Sequence, residues 1–291
     1  MTRVLSALVL LPVVIGTIFF LPPQATLILA LVAAVLAFTE YCRIARALGV
    51  SVPGGLGGAA VVLVACAMWL DGRPSDLVTM SGIAIVNSNQ VYLVLMAALI
   101  VAGAASIARG TPGPSALADA SATLLAPIYI GMPLGALAAM RDVIGNYAVR
   151  SDFPWAFGDG RIVVFVLLLV IVVSDSAQYY TGRAFGKRPL SPAISPKKTV
   201  EGAIGGVVFG TIAMTLAGHY VFRSPIWMLA LLGAAISLLG IVGDLFESLL
   251  KRSAGVKDSS NLIPGHGGVL DRIDSWLFAA PVYYIFVRFV A

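Results

Sequence analysis

Runs of about twenty apolar residues, each long enough to cross the hydrocarbon core of a bilayer, recur along this chain and leave few folds open to it. They stand near residues 4–21, 24–47, 56–70, 77–107, 116–140, 161–181, 201–222, 226–250 and 269–290. In lipid, every backbone N–H and C=O must be satisfied within its own segment, so spans of this length are helices. With 59% hydrophobic and only 11% charged residues over 291 positions, an ordinary soluble domain is excluded. The expected fold is all-α: a polytopic integral membrane protein with about nine transmembrane helices. The first run lacks a small-x-small cleavage site at Leu21-Pro22-Pro23 and reads as a retained helix. Pro127 and Pro133 are expected to kink the fifth.

The loop charges give an orientation. With the N-terminus cytoplasmic, the outer side receives only Arg73, Arg141, Arg150, Arg161, Arg223 and Arg288 of the 19 Lys and Arg residues, as the positive-inside rule requires. The net charge of +5 does not point to nucleic acid, because the basic residues sit in loops rather than on one basic face. Cys42 and Cys66 fall in apolar runs without disulfide or zinc spacing and read as buried thiols. Glu40 and Asp119 lie near cytoplasmic helix ends and read as solvated or capping. No internal repeat is evident, which weakens a transporter built from duplicated halves. The chain is read as N-terminal helices over 1–110, a middle span with an outer loop over 111–160, and a C-terminal domain over 161–291 that carries the chemistry.

Charge gathers in one stretch. Between Asp244 and Ser275 stand Asp244, Glu247, Lys251, Arg252, Lys257, Asp258, Asp271, Arg272 and Asp274, together with His266. On a helix ending near 250, positions 244, 248 and 251 share a face, so Asp244, Ser248 and Lys251 form one stripe. Asp271, Asp274 and Ser275 share a face at the start of the next helix. The glycines beside His266, Gly265, Gly267 and Gly268, allow tight turns and close approach to a ligand. Carboxylates at two helix ends suit divalent cations, and the interleaved lysines and arginines suit a polyphosphate. The plain alternative, aspartates as helix caps and charges as solvated ends, stays open for each residue alone. Glu247 reads as a partner of these groups or as a solvated face residue.

A second polar segment runs from Ser174 to Gly202. Asp175 lies near the end of a span, where an ionisable side chain is costly and by default functional. Lys187, Lys197 and Lys198 offer ammonium groups, and Ser195 and Thr199 offer hydroxyls. The alternative is an ordinary basic cytoplasmic turn or a contact with anionic lipid.

These two segments together resemble the signature of the phosphatidate cytidylyltransferases, or CDP-diacylglycerol synthases. Ser248, Lys251, Arg252, Lys257, Asp258, Pro264, His266, Gly267, Gly268, Asp271, Arg272 and Asp274 fill the family's C-terminal pattern position by position. The upstream pattern is filled by Asp175-Ser176-Ala177, Gly182-Arg183-Ala184-Phe185-Gly186-Lys187 and Ser195-Pro196-Lys197-Lys198-Thr199, with Gln178 where the family carries a smaller residue. The resemblance covers about 160–291; the first half matches only in hydropathy. It implies CTP and phosphatidate from the bilayer as substrates, no nucleic-acid partner, and a homodimer in the inner or plasma membrane with its site facing the cytoplasm. It implies Mg²⁺ at Asp244, Asp271 and Asp274, with room for a second cation such as K⁺. Asp244, Lys251, Arg252, Asp271 and Arg272 would serve the reaction itself. Substrate would be held by Asp175, Lys197, Lys198, Thr199, Ser248, Lys257, Asp258, His266, Gly267 and Gly268. Rival readings are a CTP-dependent polyprenol or phytol kinase and a non-catalytic lipid transporter.

Overall fold

The computed structural model of the chain describes residues 2–71, 90–109, 113–142 and 160–290. Its helices are α1 (Thr2–Phe20), α2 (Pro23–Ala47), α3 (Gly54–Asp71), α4 (Gln90–Arg109), α5 (Pro114–Ala126), α6 (Met132–Arg141), α7 (Gly160–Phe185), α8 (Val200–Val221), α9 (Ile226–Ser253) and α10 (Leu270–Phe289). A π-helical turn, Pro127–Gly131, joins α5 to α6, and a short hairpin of β1 (Pro189–Ser191) and β2 (Ser195–Thr199) joins α7 to α8. Seven spans among the described residues are long and apolar enough to cross a membrane, α5 and α6 counting as one. The protein is an all-α, multi-pass membrane type, as its hydropathy dictates. Residues 72–89 and 143–159, where the third-to-fourth boundary and the loop arginines Arg73 and Arg150 fall, lie outside the described residues.

The kink expected at Pro127 takes the form of the π turn: proline removes the N–H that would bond four residues back, and the wider turn absorbs the change. Pro133 follows the π turn by two residues, so the N–H it lacks also falls where the helix changes pitch.

Two compact units are present. The first comprises Met1–Ala139 and Ser253–Arg272. Small residues set its packing: Ala34, Ala37, Val61, Val64 and Ala65 are fully buried. A Cβ at Gly131 would stand 2.6 Å from the Val61 carbonyl, so the π turn lies backbone to backbone on α3. Where lipid removes the hydrophobic drive between helices, such close contact supplies the attraction. Cys42 is buried and Cys66 half-buried, both as thiols, and the Asp119 carboxylate accepts from the Ser51 N–H at 2.7 Å.

The second unit comprises Met140–Arg252 and Ile273–Ala291. Gly202, Gly206 and Gly210 recur every fourth residue along α8 and are buried. A Cβ at Gly202 would lie 2.7 Å from the Gln178 carbonyl, and one at Gly206 3.1 Å from that of Ser174. Larger residues on that stripe would push α7 away. The Tyr283 hydroxyl donates to the Val163 carbonyl at 2.9 Å, joining α10 to α7.

Candidate functional site

The hairpin between α7 and α8 is fixed at its base. The Thr199 hydroxyl accepts from the Gly202 N–H at 3.1 Å and caps α8. Glu201, in the first turn of α8, accepts from the Lys187 and Arg188 backbone N–H groups at 3.0 and 3.2 Å, and from Arg188 Nε at 2.9 Å. The strands pair antiparallel, with Pro189 opposite Thr199 and Ser191 opposite Ser195. At its tip the Ile194 carbonyl accepts from Arg252 Nε at 3.5 Å, a long contact that ties the end of α9 to the turn. Lys198 projects from β2 and forms an ion pair with Asp244 of α9, while Lys197 is exposed.

Asp244 is the hub of this unit's charge. Asp175 on α7 and Asp274 on α10 lie within coulombic reach of it and of each other; Lys198 acts on Asp175 and Lys251 on Asp274. Glycines explain the convergence. A Cβ at Gly243 would strike the Asp274 carbonyl, and one at Gly240 would lie 3.6 Å from Ser275 Cβ, so α9 and α10 meet where α9 has no side chains. Ser248 Oγ donates to Asp244 Oδ1 at 3.3 Å, on the stripe the sequence predicts.

Lys251 departs from that stripe's simple reading. It is 9% exposed and forms an ion pair with Glu247, which is 0% exposed. The solvated-face reading of Glu247 is therefore wrong: the residue is buried with its lysine one turn away.

The other signature residues gather in the first unit. A cavity of about 640 Å³ is lined by Lys257, Asp258, Asn261, Ile263, Pro264, Gly265, His266, Gly267 and Arg272. Two cationic side chains, a carboxylate and an imidazole around a space of that size suit a phosphate-bearing ligand. Gly265 and Gly267 carry φ of 77° and 80°, left-handed conformations that favour glycine. Asp271 has its Oδ2 turned into its own loop, accepting from the Ser259 N–H at 3.0 Å and the Gly268 N–H at 2.7 Å, with the Ser259 hydroxyl 2.9 Å away and its single proton shared with Glu40.

One residue of this neighbourhood, read from the sequence as solvated or capping, has a larger part in the structure. Glu40 of α2 is 2% exposed, not solvated, and accepts four hydrogen bonds from the Ser259, Ser260, Val269 and Leu270 region. It does cap a helix, but a remote one. An ionisable side chain inside the apolar span Pro23–Ala47 was the available signal.

The donor set around Asp244 fits a hard divalent cation: carboxylate oxygens, with no thiolate or imidazole among them. Among the described residues no three His, Cys, Asp or Glu side chains converge closely enough to hold an ion by themselves. Mg²⁺ at phosphoryl sites takes one or two carboxylates and fills its octahedron with water and substrate oxygens, so such a set suffices.

A family described as the cytidylyltransferase family matches residues 1–290. Among similar proteins is the phosphatidate cytidylyltransferase of Synechocystis, 39% identical over 60% of this chain and 64% of its own length. That of Helicobacter pylori is 34% identical over 70% of this chain and 68% of its own. That of Bacillus subtilis is 42% identical over 55% of each. The chain thus spans about half to two thirds of the length of these relatives.

Proposed function

The chain belongs to the cytidylyltransferase family, and on that premise we propose that it transfers the cytidylyl group of CTP to phosphatidate, leaving CDP-diacylglycerol in the membrane and releasing pyrophosphate. The observation that carries this reading is the joint one of three carboxylates facing lysines at Asp244 and the cation-lined cavity beside His266, each built mostly from residues that fill the family pattern.

A phosphate oxygen of the lipid would attack the α-phosphorus of CTP; one P–O bond forms and the bond to the β-phosphate oxygen breaks. The nucleophile is already anionic, so positioning and charge neutralisation do most of the work. Lys198, held on a hairpin with a fixed base, would bear on the triphosphate, joined by the exposed Lys197. Arg252 would support the hairpin tip, and Lys257, Arg272 and His266 would bind phosphate oxygens from the cavity wall. Gly267 and Gly268 would keep that wall's backbone close to its carboxylates. Lys251, paired with Glu247, would hold Asp274 in place. Mg²⁺ at Asp244 and Asp274, with Asp271 as the further proposed ligand, would withdraw charge from the phosphates; a second cation such as K⁺ is part of the proposal.

Further parts of the proposal are an N-terminus and a site facing the cytoplasm, residence in the inner or plasma membrane, and a homodimer. The bias of basic residues toward one set of loops supports the first. Phosphatidate would have to enter sideways from the inner leaflet, because lifting its chains into water costs about 0.8 kcal/mol per CH₂.

Incubation with CTP labelled at the α- or γ-phosphate, plus phosphatidate, tests the reading. It predicts α-label in lipid and γ-label in pyrophosphate. A γ-labelled lipid alcohol would instead establish the kinase, and binding without pyrophosphate release would establish a transporter.

A further inference from the structure

We infer that Glu40 is a positioning residue for this reaction: from the N-terminal half it clamps both ends of the loop 259–270 and, through Ser259, fixes the orientation of Asp271. The inference rests on the functional reading above for its catalytic consequence, though the clamp itself does not.

The geometry is that of a saturated carboxylate. Oε1 accepts from Ser260 Oγ at 2.6 Å and the Val269 N–H at 3.0 Å; Oε2 accepts from Ser259 Oγ at 2.9 Å and the Leu270 N–H at 2.8 Å. Two donors belong to the start of the loop and two to its end, so the loop is closed around one side chain lying 219 to 230 positions away in sequence. Asn261, Ile263, Pro264, Gly265, His266 and Gly267, all lining the cavity, lie between the clamped ends. Glu40 thereby sets the cavity's shape without touching what binds there.

The link to Asp271 is direct. Ser259 Oγ lies 2.9 Å from both Glu40 Oε2 and Asp271 Oδ2. Moving Glu40 moves Ser259, and with it both the Ser259 N–H that Asp271 accepts and the hydroxyl proton the two carboxylates share. Gly268 confirms how tightly the group is enclosed, since a Cβ there would lie 2.5 Å from each Glu40 oxygen. The negative charge also faces the N–H groups at the start of α10, where a helix dipole favours an anion. A buried glutamate with neutral donors on every side has no room for a ligand of its own. Its work is to hold other groups.

Glu40→Gln tests this. The amide nitrogen replaces an acceptor, and while a serine hydroxyl can turn to meet it, the Val269 or Leu270 N–H cannot. Hydrogen exchange at Ser259, Gly268, Val269 and Leu270 should rise about tenfold, with α2 still protected. Turnover per folded molecule should fall at least about tenfold through kcat, because small displacements of catalytic groups are costly. Unchanged exchange overturns the clamp. Faster exchange with unchanged kcat overturns the positioning role, since a purely structural residue alters the folded amount and not the rate per folded molecule. Should Glu40→Gln fail to accumulate, Ser260→Ala decides: faster exchange at Leu262 and Val269 supports the clamp, and unchanged exchange at Val269 overturns it. If the wild-type protein forms no pyrophosphate, the functional reading falls, while the exchange measurement still decides the clamp.

Discussion

Glu40 and Asp244 each carry a carboxylate on a membrane-length helix, and what faces them differs in kind. Around Glu40 stand neutral donors, two peptide N–H groups and two hydroxyls, with the side chain 2% exposed. Around Asp244 stand the Lys198 ammonium and two further carboxylates, with its own side chain 35% exposed. Backbone donors cannot leave, so the first centre is fixed once folded. A lysine on a hairpin can give up its partner to a metal ion or a phosphate, so the second can exchange ligands. On the proposed function the same functional group would serve as framework in one unit and as reactive charge in the other, and the difference lies in its partners.

The largest effect that would test this contrast is on turnover. Asp244→Asn should lower pyrophosphate release about a thousandfold, as removal of a charge-stabilising group does, while the melting temperature in detergent stays close to wild type. Collapse of the fold would make Asp244 framework too and break the comparison.

Glu247→Gln sharpens the contrast from the stability side. It leaves the Lys251 ammonium, 9% exposed, without the carboxylate one turn away. Breaking a buried pair by removing one partner costs about 3 kcal/mol, which equilibrium unfolding should register. An unaltered unfolding curve would show that the pair is solvated in the bilayer-embedded protein.

Gly268→Ala probes the framework centre. The added methyl would meet both Glu40 oxygens at 2.5 Å and crowd Ser259; overpacking of this kind costs about 2 kcal/mol. Normal stability would mean that the loop gives way freely. Smallest of the four, Lys198→Ala should raise the Michaelis constant for CTP about tenfold, equivalent to one lost charge-assisted contact, with little change in that for phosphatidate. An unaltered CTP response would reduce the hairpin to a cytoplasmic turn.

Much of the scaffold is legible in the chain because lipid leaves the backbone one local solution. The apolar runs predict the helices, and Pro127 predicts the break in the fifth. The hairpin 189–199 was not read, since Ser195-Pro196-Lys197-Lys198-Thr199 lacks the apolar alternation of a buried strand and contains a proline. The resemblance joins Asp244 to Asp274 as it does to Asp271, but the glycines that bring α9 against α10, Gly240 and Gly243, carry no chemistry to notice. Glu247 and Lys251 at i and i+4 look like a solvated pair until burial is known. The buried role of Glu40 is not legible because its hydrogen-bond partners come from residues 259–270, and no local pattern registers contacts of that range.

On the proposed function the lysine-faced carboxylates Asp244 and Asp274, rather than the donor-saturated Glu40, receive the metal ion. Binding of Mn²⁺ as a paramagnetic substitute for Mg²⁺, followed by electron paramagnetic resonance with CTP present, tests it most directly in the wild-type protein, Asp244→Asn and Asp274→Asn. The account predicts saturable binding to the wild type and at least about tenfold weaker binding to each variant. Unchanged Mn²⁺ affinity in Asp244→Asn would contradict it.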